Sequence, residues 1–295
     1  MTADTDFDTI IIGAGMSGLA AGIRLAMYDH RVCVLEKHWT IGGLNSFYRL
    51  HGRDYDVGLH AMTNYTARGA KKGPLARLLK QLRMRWDDFH LAQQCGSSIA
   101  FPGVELQFNN DIRLLQSEID RCFPHQRDAF ATMLARLADY DDLQQSDFER
   151  STRAILDEIF SDRLLIEMLL CPLMWYGNAR EHDMDWGQFC IMFRSIFLEG
   201  FARPHRGVRL ILKNLVRRFR ELGGQLKLRS GVAKLHVENE RITGVELENG
   251  TILTAKRVLS SAGVVETMRM CDAIDPERPV TAGQLAFVAS LSVLD

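Results

Sequence analysis

One glycine-rich stretch near the N-terminus constrains the fold of this chain more than any other segment. Residues 13–18 read GAGMSG and follow the apolar run DTIII, whose β-branched residues predict a buried parallel strand. A helical spacing of apolar and small residues follows at 16–28, and a second buried strand, RVCVLE, at 31–36. This strand–turn–helix–strand order predicts an α/β fold with a Rossmann-type dinucleotide-binding domain.

The glycines of this stretch have the spacing G-x-G-x-x-G, and each has a separate physical role. Gly13 permits the tight turn, Gly15 lets the backbone approach a pyrophosphate, and Gly18 lets the helix pack closely on the strand. The phosphates would accept hydrogen bonds from backbone N–H groups at the helix N-terminus. The residues expected around the diphosphate are Gly13, Ala14, Gly15, Met16, Ser17 and Gly18.

The second strand ends in an acidic residue, Glu36, and we expect both Glu36 and the following Lys37 to lie against the cofactor. A carboxylate at this place can accept hydrogen bonds from the ribose hydroxyls of a dinucleotide. It would also repel the 2′-phosphate of NADP, which leaves NAD or FAD as the cofactor. The alternative is a merely glycine-rich turn with Glu36 as a surface residue.

A second glycine pair, Gly42 and Gly43, follows shortly after this acid and distinguishes FAD from NAD as the expected cofactor. In a simple NAD dehydrogenase the chain returns at this point to a crossover helix. Adjacent glycines instead expose backbone N–H groups to a further stretch of an extended ligand. FAD is long enough to need such contacts, so FAD is the expected cofactor, with an NAD-only dehydrogenase as the alternative.

These segments together carry a family resemblance. DTIIIGAGMSGLAAGIRLA, RVCVLEK, IGGLNSF and DYDVGLH, together with residues 203–265, resemble the FAD-dependent phytoene desaturase, carotenoid isomerase and retinol saturase superfamily, related to the flavin amine oxidases. The resemblance implies an oxidoreductase that desaturates, saturates or isomerises a carotenoid or other polyene by hydride exchange with flavin. A flavin amine oxidase-like enzyme and a non-catalytic FAD-binding fragment completed by a partner chain are the alternatives.

The resemblance also implies positions for the parts of FAD. Along the diphosphate and ribityl chain would lie Gly42, Gly43, Leu44 and Asn45. Near the isoalloxazine would lie Gly58, Leu59 and His60, and the backbone of Val232 would contact the adenine. His60 would face the substrate or the flavin, or else be a hydrogen-bonded residue of the wall. Leu44 departs from the family, which often has Arg or Lys there, and so lacks a phosphate-neutralising charge.

The middle of the chain is expected to be a helical insertion in the dinucleotide-binding domain. We expect that domain at 1–65 and 223–270, with a β-meander from 225 onward, and a mainly helical substrate domain at 66–222 and 271–295. The pattern predicts a hairpin around residues 102–103, a capping box at 146–149 and a basic helix at 208–222 ended by Gly223 and Gly224. In the resembled family the chain continues with a Gly-Asp segment at the flavin, so the substrate domain is expected to be incomplete.

The apolar stretch from 164 to 201 has aromatic residues three or four apart, which suit either the wall of a lipid tunnel or an ordinary helical core. The basic face of the helix at 208–222 suits either anionic lipid or a solvated surface. The aromatic residues are Trp175, Tyr176, Trp186, Phe189, Phe193, Phe197 and Phe201.

Composition and charge argue against several other classes. A net charge of −1 does not favour nucleic-acid binding, and the six scattered cysteines predict no metal site and no disulfide framework. The N-terminus lacks the basic segment of a signal peptide, and no run of 18 apolar residues occurs. We therefore expect a cytoplasmic protein with an apolar small-molecule or lipid substrate, with peripheral membrane contact as an open alternative. The sequence leaves the oligomeric state undetermined.

Overall fold

The computed structural model describes residues 5–58, 61–141, 150–176, 180–238 and 241–271. These residues form two compact units. The first unit takes the described residues before Ala61, together with Leu78–His90 and those from Pro204 onward. The second takes Ala61–Arg77 and Leu91–Arg203.

The described strands and helices follow one another in a mixed α/β order. The strands are β1 (Phe7–Ile12), β2 (Val32–Leu35), β3 (Phe47–Leu50), β4 (Arg53–Asp56), β5 (Leu91–Gln93), β6 (Ser97–Phe101), β7 (Val104–Phe108), β8 (Ala202–Pro204), β9 (Gln225–Lys227), β10 (Val232–Glu238), β11 (Arg241–Leu247), β12 (Ile252–Leu253) and β13 (Ala255–Ser260). The α-helices are α1 (Met16–Ala26), α2 (Pro74–Leu82), α3 (Ile112–Cys122), α4 (Arg127–Ala138), α5 (Thr152–Ile159), α6 (Arg163–Met174), α7 (Trp186–Phe193), α8 (Arg209–Glu221) and α9 (Val264–Arg269).

A four-stranded parallel sheet with the order β13–β1–β2–β9 is the centre of the first unit. Its strands β1 and β2 are buried almost throughout, as the continuous apolar runs predict for a parallel sheet. Helix α1 packs beside α8, and Gly22 makes the close approach possible, since an added Cβ would lie 3.0 Å from the ring of Phe219. The predicted strand–turn–helix–strand unit is confirmed, and with it the Rossmann-type α/β fold.

The predicted β-meander is wrong in its first strand. The run QLKLRS forms β9, which pairs in parallel with β2 through Cys33↔Gln225 and Leu35↔Lys227. The antiparallel sheet contains β10, β11 and β12 instead. Helix α8 lies against α1, so the strand that follows it emerges at the edge of the parallel sheet. The glycine expected to end α8, Gly223, has a φ of 82° and does so.

The antiparallel sheet packs on the parallel one through a shared apolar cluster. Leu235 and Val245 from β10 and β11 are fully buried with Ile10 and Cys33 from the parallel strands. After β12 the chain leaves the antiparallel sheet, and β13 pairs in parallel with β1, which returns the chain to the glycine-rich loop.

The two units do not follow the predicted domain boundaries, and the largest differences concern two segments. Helix α8 and the segment Leu78–His90 belong to the first unit, whereas the sequence pattern assigned both to the helical domain. Asn214 of α8 explains the association, since its side-chain amide donates to the carbonyl of Asp88 at 2.6 Å.

The second unit is mainly helical and contains the predicted hairpin. Strands β6 and β7 pair around the Pro-Gly turn, from Ser97↔Phe108 to Phe101↔Val104. The predicted capping box at 146–149 lies outside the described residues. Helix α5 is capped by Ser151, whose hydroxyl accepts from the N–H of Ala154 at 3.1 Å.

The aromatic stripe is largely core. Trp186, Phe189, Phe193 and Phe197 contact one another in sequence along α7 and the π-helical turn Arg194–Leu198, with ring centroids 5.3, 5.6 and 4.6 Å apart. All four are at most 5% exposed. Trp175 differs, being 85% exposed at the end of α6. Among the described residues, no helix combines the length and the apolarity needed to cross a bilayer.

Candidate dinucleotide-binding site

The glycine loop joins β1 to α1, and its glycines are required by close contacts. Gly13 has a φ of 101°, and an added Cβ there would lie 2.6 Å from Ser261 Oγ. At Gly18 an added Cβ would lie 2.2 Å from the carbonyl oxygen of Gly13. At Gly15 nothing lies within 4 Å, so the space in front of this residue is open. Gly13 and Gly18 are therefore required by contacts within the protein, whereas Gly15 leaves room for a ligand.

The N-terminus of α1 is open at this same position. Gly15 is the N-cap residue and has no side chain with which to cap the first-turn N–H groups. Met16 and Ser17 follow in that first turn, which contains no acidic residue. Unpaired N–H groups together with the helix dipole favour an anion at such a terminus. The cradle thus fits the diphosphate of a dinucleotide.

The predicted ribose acid, Glu36, also holds the glycine loop in place. It is buried at the end of β2, with 6% exposure. Its Oε2 accepts from the N–H of Ala14 at 2.9 Å, and its Oε1 accepts from the N–H of His38 at 2.9 Å. Each carboxylate oxygen keeps a second lone pair, which a ribose hydroxyl could use. The neighbouring Lys37 is exposed.

The second glycine pair lies directly against the first loop. The N–H of Gly42 donates to the carbonyl of Ala14 at 2.9 Å. Gly42 has a φ of 117°, and an added Cβ would lie 2.7 Å from a methyl carbon of Leu212. Gly43 has a φ of 53°, and its added Cβ would lie 3.7 Å from the Cα of Gly15. The two glycine groups therefore form one continuous surface of backbone.

The segment after this pair lies close to Gly58. Gly58 has a φ of 67°, and an added Cβ would lie 2.5 Å from the carbonyl oxygen of Leu44 and 3.6 Å from Asn45 Oδ1. The side chain of Leu44 is 86% exposed and makes no demand on the fold. Leu59 and His60 lie outside the described residues.

Sequence reasoning missed an ion pair that anchors β4, the strand before Gly58. Asp56 Oδ1 lies 3.9 Å from Arg209 Nε at the start of α8, and its Oδ2 would be 2.6 Å from a Cβ at Gly207. Arg209 also reaches Asp54 at 3.5 Å and lies 5.0 Å over the ring of Phe47. The aspartates of DYDVGLH were the available signal, although nothing in the sequence names their partner on α8.

Two further observations concern the predicted adenine contact and the metal-ligating side chains. Val232 begins β10, pairs with Leu247 and packs partly buried against the cluster of the two sheets. Among the described residues no group of three or more metal-ligating side chains occurs. The geometry does not show Val232 beside the glycine loop, so its adenine contact stays a prediction.

Comparison with known proteins agrees with the resemblance seen in the sequence. A family profile described as a NAD(P)-binding Rossmann-like domain matches residues 11–82. The chloroplastic prolycopene isomerase of Arabidopsis thaliana is 23% identical over 294 residues, covering 87% of this chain and 47% of that protein. The lycopene-forming phytoene desaturase of Pseudescherichia vulneris is 24% identical over 305 residues, covering 88% and 56%. This chain is related to both enzymes.

These matches confirm the resemblance expected from the sequence, and the fold is confirmed independently. A crystal structure described as an oxidoreductase from Methanosarcina mazei superposes with a TM-score of 0.72 at 20% identity, covering 96% of this chain and 64% of that one. The present chain spans about half the length of the curated relatives it matches, 47% and 56% in these two cases.

Proposed function

We propose that this chain binds FAD and acts as a FAD-dependent oxidoreductase on an extended apolar substrate such as a carotenoid or another polyene. The observation that carries the cofactor assignment is the closeness of Gly43 to Gly15: a Cβ added at Gly43 would lie 3.7 Å from the Gly15 Cα, so the glycine loop continues into a longer backbone surface. An extended dinucleotide such as FAD would follow this surface beyond its diphosphate. Glu36 disfavours a 2′-phosphate at the ribose position.

The residues present have defined tasks toward such a cofactor. The N–H groups around Gly15 and Ser17 would bind the diphosphate, Glu36 the ribose, and the backbone from Gly42 to Asn45 the continuing chain. Bound FAD would supply hydride acceptance or donation, while the protein positions the substrate and excludes water. No side chain is assigned as a proton donor, and His60 stays a prediction.

The substrate class is proposed from the relatives and from apolar surface that the fold leaves available. The relatives named above are a prolycopene isomerase and a phytoene desaturase. The buried aromatic rings of α7 fill the core of the second unit, so they are not offered as a tunnel wall. Exposed Trp175 and half-exposed Tyr176 at the end of α6 remain available to an apolar ligand.

Identification of the released cofactor tests the first half of the proposal. The purified chain is denatured, and the supernatant is analysed by mass spectrometry and by absorption. FAD at near-stoichiometric amounts is expected, whereas NAD would support the dehydrogenase alternative. Gly15→Ala is expected to lower the bound FAD because it fills the open space. Gly96→Ala is the matched control, since its added Cβ would have its nearest neighbour, the carbonyl of Phe108, only at 4.0 Å.

Incubation with polyenes tests the second half. The FAD-loaded chain is mixed with phytoene or prolycopene in detergent, and products are followed by chromatography with absorption detection. New conjugated double bonds would indicate desaturation, and a change of geometric isomer without net oxidation would indicate isomerisation. Oxidation of an amine in place of a polyene would support the amine oxidase-like alternative. FAD binding without turnover of either class would support the partner-completed fragment.

Peripheral membrane contact is a further proposal, independent of the cofactor. Lys213, Arg217 and Arg220 of α8 line a groove together with the acidic Glu221 and the apolar side chains of Ile41 and Val216. Cosedimentation with vesicles of phosphatidylserine and phosphatidylcholine, compared with phosphatidylcholine alone, tests it. Equal recovery with both vesicle types would favour the solvated-surface alternative. A cytoplasmic location stays a prediction.

A further inference from the structure

A serine at the end of β13 lies directly behind the glycine loop, although it is far from the loop in sequence. Ser261 Oγ is 3.0 Å from the carbonyl oxygen of Ile12 and 3.4 Å from that of Gly13. The backbone N–H of Ser261 donates to the same Ile12 carbonyl at 2.9 Å. Because this bond continues the pairing of β13 with β1, the sheet itself fixes the place of the serine side chain.

The hydroxyl occupies space that only glycines leave open. An added Cβ at Gly13 would lie 2.6 Å from Ser261 Oγ, and one at Gly18 would lie 3.0 Å from the same atom. Two glycines of the motif are therefore required by the packing of Ser261 as well as by the turn. The serine and the loop fit each other as one packed unit.

One peptide group of the loop is held at both of its ends. Its carbonyl belongs to Gly13 and faces the Ser261 hydroxyl, while its N–H belongs to Ala14 and donates to Glu36 Oε2 at 2.9 Å. Because the peptide group is planar, contacts at both ends fix its rotation. The next carbonyl, that of Ala14, is taken up by the N–H of Gly42 at 2.9 Å.

This arrangement has a consequence for anion binding. A phosphate-binding loop must direct its N–H groups toward the anion and its carbonyl oxygens away from it. The carbonyls of Ile12 and Gly13 are held at the back of the loop by Ser261. If that hold were absent, the peptide groups would have to be ordered when the ligand binds, which lowers affinity.

We propose that Ser261 is a positioning residue for the diphosphate of the dinucleotide, acting through the peptide groups that follow Ile12 and Gly13. The inference rests on the proposed dinucleotide binding and adds to it a residue that directly follows β13, the edge strand paired with β1. The ligand class is a nucleoside diphosphate moiety, either as free ADP or within FAD. Ser261 itself need not touch the ligand.

The test compares two variants that have the same shape and differ in one hydroxyl. Ser261→Thr keeps the hydroxyl and Ser261→Val replaces it with a methyl group. ADP and FAD are titrated into each protein after bound cofactor has been removed, by calorimetry for ADP and by flavin fluorescence for FAD. Ser261→Val is expected to bind both ligands about five- to tenfold more weakly than Ser261→Thr, the loss that one hydrogen bond supports. Ser261→Ala removes the hydroxyl without adding atoms and replaces the valine variant if that protein does not fold.

A neighbouring serine provides the matched control. Ser260 Oγ accepts from Thr267 Oγ1 at 2.7 Å and from the N–H of Ala262 at 3.3 Å, both on the side of the chain that leads into α9. Ser260→Ala is expected to keep ADP affinity while changing the urea unfolding midpoint at least as much as Ser261→Val does. That separation would distinguish positioning of the ligand from a general loss of structure.

The outcomes separate this inference from the function on which it rests. Equal affinity of the valine and threonine variants would overturn the role of the hydroxyl, whether both bind well or both bind poorly. An affinity loss in Ser260→Ala equal to that in Ser261→Val would likewise overturn it. If the wild-type chain bound neither ADP nor FAD, the proposed function would fail, and this inference with it.

Discussion

Close packing at Gly18 predicts that alanine there lowers the free energy of unfolding, whereas helix propensity alone predicts that alanine raises it. Gly18 lies in the first turn of α1, where replacing glycine by alanine would ordinarily stabilise the helix by about 0.5–1 kcal/mol. An alanine Cβ would, however, lie 2.2 Å from the carbonyl oxygen of Gly13. That oxygen belongs to the backbone of a loop held by Ser261 and Glu36, so it cannot move aside alone.

We therefore expect Gly18→Ala to lower the free energy of unfolding by about 3 kcal/mol, the upper part of the range for overpacking. Gly15→Ala is the control, because its Cβ would meet nothing within 4 Å and only the N-cap preference is lost. That loss is expected to stay below about 1 kcal/mol. Urea unfolding of the cofactor-free proteins, followed by circular dichroism, measures both values from midpoint and slope. A Gly18→Ala protein as stable as the wild type would refute the argument from the close contact.

Other predictions follow from exposure, burial and charge. Leu44→Arg is expected to raise FAD affinity about threefold without changing stability, since the side chain is 86% exposed and a cation there can neutralise phosphate; titration with FAD checks it, with Leu44→Gln as control. Burial raises the pKa of the Cys33 thiol to about 11, so iodoacetamide at pH 8 should label exposed Cys95 and spare Cys33 until urea unfolds the chain, as peptide mass spectrometry would show. Hydrogen bonding from Arg153 lowers the pKa of Glu167, so the pair stabilises the fold above pH 4.5 and loses this effect as the pH falls below that value. Glu167→Gln should cost about 0.2–1 kcal/mol at pH 7, and the difference from wild type in urea unfolding should shrink on acidification.

The parts of the fold that could be predicted from sequence are those with a local signal. The β1–α1–β2 unit follows from apolar runs and glycine spacing, and the β6–β7 hairpin follows from its Pro-Gly turn. The place of β9 has no such signal, because a three-residue strand reads the same in a meander and at the edge of a parallel sheet. What decides it is the packing of α8 on α1, in which the contact between Gly22 and Phe219 spans distant parts of the chain.

The residues of the candidate site also differ in whether they could be predicted from the sequence. The glycines and Glu36 could be named from their spacing, since a dinucleotide loop is a local motif. Ser261 and Arg209 could not, because each reaches its partner across long stretches of chain, 248 residues in the case of Ser261 and Gly13. Neither residue type is distinctive in isolation, and only the pairing of β13 with β1 and the start of α8 beside β4 give them a role.

The two glycines of the second pair are required for different reasons, and only one of them distinguishes between the two cofactors. Gly42 is required by the protein, because its φ of 117° and its contact with Leu212 exclude a side chain whatever ligand is bound. A Gly42→Val variant would therefore lose cofactor affinity under either assignment and cannot separate NAD from FAD. Gly43 is less constrained, because a Cβ added there would make only an ordinary contact, 3.7 Å from the Cα of Gly15, and its φ of 53° is one that asparagine tolerates. The difference between the two cofactors consequently rests on Gly43, where a side chain would be accepted by the fold but would cover the backbone that a longer dinucleotide needs.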